Sequence, residues 1–145
     1  MLELPVIDIK NLDHFFGQGQ LKKQVLFDIN LEIGSGEVII LTGPSGSGKT
    51  TLLTLIGGLR SVNHGSLKLL DQQLCNASAK ELVKARRRIG YIFQAHNLHK
   101  SLTAQQNVQM GLELHPEYTV AEMRSKSAEM LEIVGLGNRI NYYPE

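Results

Sequence analysis

The sequence predicts an α/β fold that opens with antiparallel strands, passes through a glycine-rich loop between a buried strand and a helix, and ends in a mainly helical subdomain. Three observations carry that prediction. Apolar and polar residues alternate early in the chain, a continuous apolar run stands immediately before the glycines of residues 43–48, and helix-start signatures recur beyond Gln94.

The elements follow in order. Pro5 to Leu12 alternates well enough for a first strand. Phe27, Ile29, Leu31 and Ile33 alternate with Asp28, Asn30 and Glu32, which predicts a half-buried strand of period two. Gly34-Ser35-Gly36 turns the chain into Val38-Ile39-Ile40-Leu41, whose unbroken apolar character predicts a strand covered on both faces. Beyond the loop, Leu52, Leu55, Ile56 and Leu59 share one helical face, and Gly57-Gly58 mark where that helix ends. Gly65 to Leu70 reads as a short strand. Ser78-Ala79-Lys80-Glu81 has the spacing at which hydroxyl and carboxylate satisfy each other's backbone amides, so a helix is predicted from there to about Arg88. Ile89 to Phe93 is strand-like again. The same capping spacing recurs at Thr103 to Gln106 and at Thr119 to Glu122. Val120, Met123, Ser127, Met130, Leu131 and Val134 then fall on one face of the last helix, with Gly135 placed to close it in a left-handed conformation. The expected division is a β and loop core over about residues 1–95 and a helical portion over about 96–145.

Composition removes several classes of function. With 42% apolar and 20% charged residues, the 145-residue chain is neither disordered nor collagen-like. A net charge of +1 argues against nucleic acid as a partner, and the basic cluster Lys84, Arg86, Arg87 and Arg88 reads as a helix terminus complementing the backbone dipole. Cys75 stands alone and cannot close an internal disulfide, while Glu3, Asp8, Lys10 and Asp13 interrupt what a secretory leader would need. These features point to a reducing compartment, most simply the cytoplasm. No apolar window is long enough to cross a bilayer. His96 and His99 lie three apart without a cysteine or carboxylate pattern beside them, so no metal site is assigned to them.

Gly43-Pro44-Ser45-Gly46-Ser47-Gly48-Lys49-Thr50 fits G-x-x-x-x-G-K-[ST], and it is expected to lie after a buried strand and before an amphipathic helix, the context that motif requires. Glycines let the backbone curl until successive N–H groups point inward, and the following helix adds unpaired donors and the positive end of its dipole. Residues 43–51 therefore read as a phosphate cradle for a nucleotide. Lys49 is expected to reach the β and γ phosphates, Thr50 to give its hydroxyl oxygen to Mg²⁺, and Thr51 to contact the α phosphate. The loop alone leaves small-molecule kinases, GTPases, motors and transport ATPases open. The Asn-Lys-x-Asp guanine motif of GTPases is absent from the sequence.

The stretch VLFDINLEIGSGEVIILTGPSGSGKTTLLTLIGGL, from Val25 to Leu59, resembles the start of an ATP-binding cassette of the ABC transporter superfamily. In that family a strand beyond the loop ends at a glutamine, and RRRIGYIFQAHNL places Gln94 there. The resemblance implies that the Gln94 amide touches Mg²⁺ or the attacking water, a catalytic role shared with Lys49, and that the segment after it couples to transmembrane permease subunits. It also implies an aromatic residue that stacks on adenine. Phe16, with Phe15 beside it, stands where that residue belongs, and Phe16 is chosen by its distance to Val25. More closely, HFFGQGQLKKQVLFDINLEI, GGLRSV and GYIFQAHNL are similar to the DevA-type ATP-binding subunits of heterocyst glycolipid exporters, within a class that includes lipoprotein-release and macrolide-efflux ATPases.

The resemblance thus implies a P-loop NTPase fold of the ABC ATPase type, with ATP and Mg²⁺ as cofactors and MgATP hydrolysis as the reaction. Its implied partners are the permeases and a second ATP-binding subunit, expected as an identical copy. Contact with the inner face of the cell membrane comes only through those partners. Glu145 precedes any LSGGQ signature, second acidic strand motif, catalytic glutamate or switch histidine, so the chain is expected to be an N-terminal portion truncated before the signature. Catalysis then belongs to the complete protein, and the 145-residue chain alone is expected to be inactive, with apolar strand edges exposed. The other reading is a nucleotide-binding module without turnover.

Overall fold

The computed structural model describes residues 5–95 and 97–144, so His96 lies outside the described residues. The chain divides into two compact units, one up to Tyr91 and the other from Ile92 onward.

In the first unit, β1 (Ile7–Phe16) pairs antiparallel with β2 (Lys23–Ile33) on one side and with β3 (His64–Leu69) on the other. A two-residue β4 (Gln72–Gln73) completes the order β2-β1-β3-β4. Two helices belong to the same unit, α1 (Lys49–Ile56) and α2 (Ala79–Arg86). Ile9 and Leu12 of β1, Leu26 of β2 and Leu67 and Leu69 of β3 form one core with Leu52 and Leu55 of α1 and Leu82 and Ala85 of α2.

That core is made possible by two bulges. Asn11 (φ 47°) and Asp28 (φ 45°) are left-handed, a conformation that Asn and Asp tolerate better than other non-glycine residues. Each shifts the phase of its strand, so Ile9 and Leu12 both point inward, as do Leu26 and Ile29. Side chains pin the arrangement. Asn11 Nδ2 donates to Asp28 Oδ1 at 2.8 Å, the Asn11 amide donates to Asn30 Oδ1 at 2.9 Å, and Asp13 Oδ1 accepts the Asp28 amide at 2.9 Å. The strict alternation expected from Phe27 to Ile33 fails at its first member for this reason, and Phe27 is 65% exposed.

Two expected strands are absent. Val38–Leu41 is irregular, with Val38 90% and Ile40 82% exposed, and the stretch Ile89 to Phe93 is irregular too. An apolar run becomes a strand only when a neighbour pairs with it, and among the described residues no strand lies beside either segment.

The capping sequences fold as their spacing requires. Ser78 Oγ accepts the Glu81 amide while the Glu81 carboxylate accepts the Ser78 amide at 2.7 Å. Helix α2 ends at Arg86, slightly short of the expected Arg88. In the second unit the same reciprocal caps open α3 (Ala104–Leu112) at Thr103 and Gln106, and α4 (Val120–Ile133) at Thr119 and Glu122. Hydrogen bonds from Ser78 hold the Glu81 carboxyl below its ordinary pKa, and those from Thr119 do the same for Glu122. A depressed carboxyl stabilises the fold above its unfolded value, so this contribution is full at neutral pH and fades as acid protonates the folded carboxylates.

The face predicted for α4 is narrower than expected. Ser127 and Leu131 are buried and Met123 is half-buried, whereas Val120, Met130 and Val134 are exposed. Packing against α3 and the single turn Gly137–Arg139 covers only the stripe at positions 123, 127 and 131. Gly135 does close the helix with φ 76°. Thr119→Ala should cost about 1 kcal/mol by removing the oxygen that caps α4, read as a lower unfolding midpoint; an unchanged midpoint would contradict the cap. Among the described residues no helix is long and apolar enough to cross a membrane.

Candidate functional site

The glycine-rich loop rests on β2. Gly48 (φ 90°) precedes α1, and a Cβ there would lie 2.6 Å from Leu26 Cδ2 and 3.1 Å from the Val25 carbonyl oxygen. Both the conformation and the close approach demand glycine. Helix α1 starts at once with Lys49, and no side chain caps it. The first-turn amides of Lys49, Thr50 and Thr51 therefore have no intrahelical acceptor, and they sit at the positive end of the helix dipole.

Val25 and residues 45–51 line a recess of about 240 Å³. The loop also borders a second, mainly apolar cavity of about 280 Å³, where Leu26, Ile29, Leu41 and Leu52 join Ser47, Gly48 and Lys49. An anion fits the amide-lined recess better than the mainly apolar cavity. Lys49 Nζ donates to the carbonyl oxygens of Gly43 and Pro44, each at 2.7 Å, and to Ser47 Oγ at 3.3 Å. The ammonium thus closes the loop on itself, held by neutral acceptors that a phosphate oxygen can outcompete.

Strand pairing separates the two adjacent phenylalanines. His14 is the register partner of Leu26, and the His14 and Phe16 rings meet edge to face at 5.1 Å. Antiparallel partners and residues two apart share a sheet face, so Phe16 lies on the side where Leu26 supports Gly48. Phe15 lies on the other side, with its ring 5.3 Å from that of His64 and 4.3 Å from Lys22 Nζ. The Arg60 guanidinium stands over Phe16, its central carbon 4.9 Å from the ring centroid. Burial, and then the Arg60 charge, hold His14 below the usual histidine value.

Of the residues singled out from sequence, 43–51 come together as one loop and helix start, and Phe16 lies on the same unit. Gln94 is exposed in an irregular segment that belongs to the second unit. Three neighbours of the loop and ring escaped the sequence reading. Val25 served only to measure spacing, and neither Arg60 nor His14 was given a role, because nothing local marks a side chain that acts across a strand or a helix end. Among the described residues no group of three or more histidine, cysteine or acidic side chains could hold a metal. The exposed Thr50 hydroxyl beside the recess fits a Mg²⁺ ion that arrives on a triphosphate, since that ion commonly takes few protein ligands when phosphates supply the others.

Known proteins resemble this chain in sequence and fold. A family model described as ABC transporter matches residues 26–144. The lipoprotein-releasing system ATP-binding protein LolD 2 of Rhodospirillum rubrum is 36% identical over 142 residues, 97% of this chain and 62% of the relative. The sulfate/thiosulfate import ATP-binding protein CysA of Photorhabdus laumondii is 39% identical over 141 residues, 95% of this chain but 36% of that protein. The chain thus spans about three fifths of the length of its lipoprotein-releasing relative. Among solved structures, a dimeric post-hydrolysis state of the ATP-binding cassette MJ0796 bound to ADP and Pi superposes with a TM-score of 0.85 at 32% identity, covering 95% of this chain and 61% of the other. The fold is that of ABC ATPase cassettes. Strand-supported glycine loop, capped helices and family match agree over most of the length, and this chain belongs to the ABC transporter family.

Proposed function

We propose that this chain forms the N-terminal part of an ATP-binding subunit that couples MgATP binding and hydrolysis to export through membrane permease partners. The observation that supports this reading most directly is the recess of residues 45–51, with Lys49 poised over the loop and the first amides of α1 open beside it. In this proposal the triphosphate lies against those amides, and Lys49 gives up the carbonyls of Gly43 and Pro44 for β and γ oxygens. Thr51 takes the α phosphate. Thr50 Oγ1 and the Gln94 amide are the groups assigned to Mg²⁺, which when bound neutralises charge at the phosphoryl group in transfer. The role of Gln94 rests on the family resemblance alone.

Adenine is assigned to Phe16. Its support is the shared sheet face that links Phe16 through His14 and Leu26 to Gly48, together with the opposite placing of Phe15. The matched family region starts at residue 26 and leaves this choice to geometry. In the intact subunit, Phe16→Ala should weaken MgATP binding about tenfold, in line with base stacking of ~1–3 kcal/mol, while Phe15→Ala leaves it unchanged. Calorimetric titration of both variants decides it, and the reverse pattern would move the base to Phe15.

Export, the DevA-type subclass, an identical second subunit and a place on the inner face of the cell membrane complete the proposal. Their support is the HFFGQGQLKKQVLFDINLEI and GGLRSV resemblance, with the lipoprotein-releasing relative beside it and the dimeric form of the MJ0796 cassette. The likeness to an import subunit shows why direction is read from the partners rather than from the cassette. Reconstitution of the intact subunit with its permeases in vesicles tests direction: ATP-dependent uptake into inside-out vesicles is the expected result, and ATP-driven efflux from them would refute export.

A further inference from the structure

Arg60 follows the glycine pair that ends α1, and it is exposed. Neighbouring arginines are committed elsewhere: Arg86 donates to the Gly58 carbonyl at 2.8 Å and Arg88 to the Asp71 carboxylate. No ion pair among the described residues engages Arg60. Its guanidinium instead lies 4.9 Å from the centroid of Phe16, within the range at which an aromatic face holds a cation. His14 makes a T-shaped contact with the same ring, so the ring already has two neighbours.

We propose that Arg60 is the second wall of the base site, a movable clamp that packs over Phe16 and stacks on the outer face of the purine when nucleotide is bound. The proposal rests on the assignment of the base to Phe16. Its geometry is simple. A base stacked on the ring needs about 3.5 Å, and a guanidinium stacked on that base needs as much again, so Arg60 must withdraw by roughly 2 Å to open the slot. A long, exposed side chain with no carboxylate partner can make that movement without breaking an ion pair. The planar, delocalised cation suits both partners, since it is attracted to the phenyl face before binding and to the purine face afterwards. Because every purine has such a face, the clamp adds affinity for a base without selecting adenine over guanine. Arg60 is therefore a positioning residue and takes no part in phosphoryl transfer.

The test is calorimetric titration of the intact subunit, wild type, R60A and R60K, with MgATP and with magnesium tripolyphosphate, which offers phosphates and no base. R60A should bind MgATP about fivefold more weakly and tripolyphosphate as the wild type does, and R60K should recover part of the loss. Unchanged MgATP affinity in R60A overturns the clamp, and tighter binding overturns it in favour of a plug that only blocks the ring. An equal loss for tripolyphosphate also overturns it, because Arg60 would then be acting on the loop. Failure of the underlying assignment looks different: Phe16→Ala would leave MgATP affinity intact, and the clamp would fall with it.

Discussion

Lys49→Ala should lower the MgATP affinity or turnover of the intact subunit at least tenfold, equivalent to about 1.4 kcal/mol. The ammonium makes three contacts to the loop, with the Gly43 and Pro44 carbonyls and with Ser47 Oγ. Alanine removes the charge that would compensate the β and γ phosphates, and it strips two carbonyls of their donor. Residues 43–47 are exposed, so water can replace that donor and the unfolding midpoint should change far less than the affinity. Binding by titration and hydrolysis by phosphate release are the measurements. A variant that bound and turned over MgATP like its parent would remove the phosphate cradle from consideration.

Gly65→Ala should carry the largest cost to stability, about 3 kcal/mol or more. Gly65 has φ +85°, and an added Cβ would fall 2.2 Å from the Asn11 carbonyl oxygen and 2.7 Å from Leu12 Cα. Those atoms are backbone of the central strand at its bulge, so no side-chain rotation can relieve the overlap. Either β3 leaves β1, or the bulge that turns both Ile9 and Leu12 inward is lost. Because Phe16 ends the same strand, nucleotide affinity should fall along with the unfolding midpoint in denaturant. A midpoint equal to that of the parent would show that β1 leaves room for a methyl group at Gly65.

The contrast between Gly65 and Thr119 explains what could be read in advance. A capping box is complete within four residues, and all three predicted boxes, at Ser78, Thr103 and Thr119, formed as their spacing requires. The glycine-rich loop and the start of α1 at Lys49 were equally legible, because the residues that shape them are contiguous. Bulges were not. The alternation from Phe27 to Ile33 hides the left-handed turn at Asp28, which is held by Asn30 two residues on and by Asn11 and Asp13 from another strand. The same phase shift on β1 sets which of Phe15 and Phe16 faces the loop, so counting residues from Val25 named the ring without a reason for its orientation. Val38 to Leu41 failed for a related cause: apolar character is a property of the segment, whereas strand pairing belongs to two segments at once.

If residues 43–51 hold a triphosphate as proposed, the bonds from Lys49 to the loop's own carbonyls bear on the kinetics of nucleotide exchange. A cation that already has acceptors does not need to be stripped from bulk solvent when a ligand arrives, and it is not stranded when the ligand goes. On that proposal the main-chain oxygens of Gly43 and Pro44 are partners that Lys49 exchanges for phosphate oxygens, so that entry and departure become a swap of hydrogen-bond acceptors.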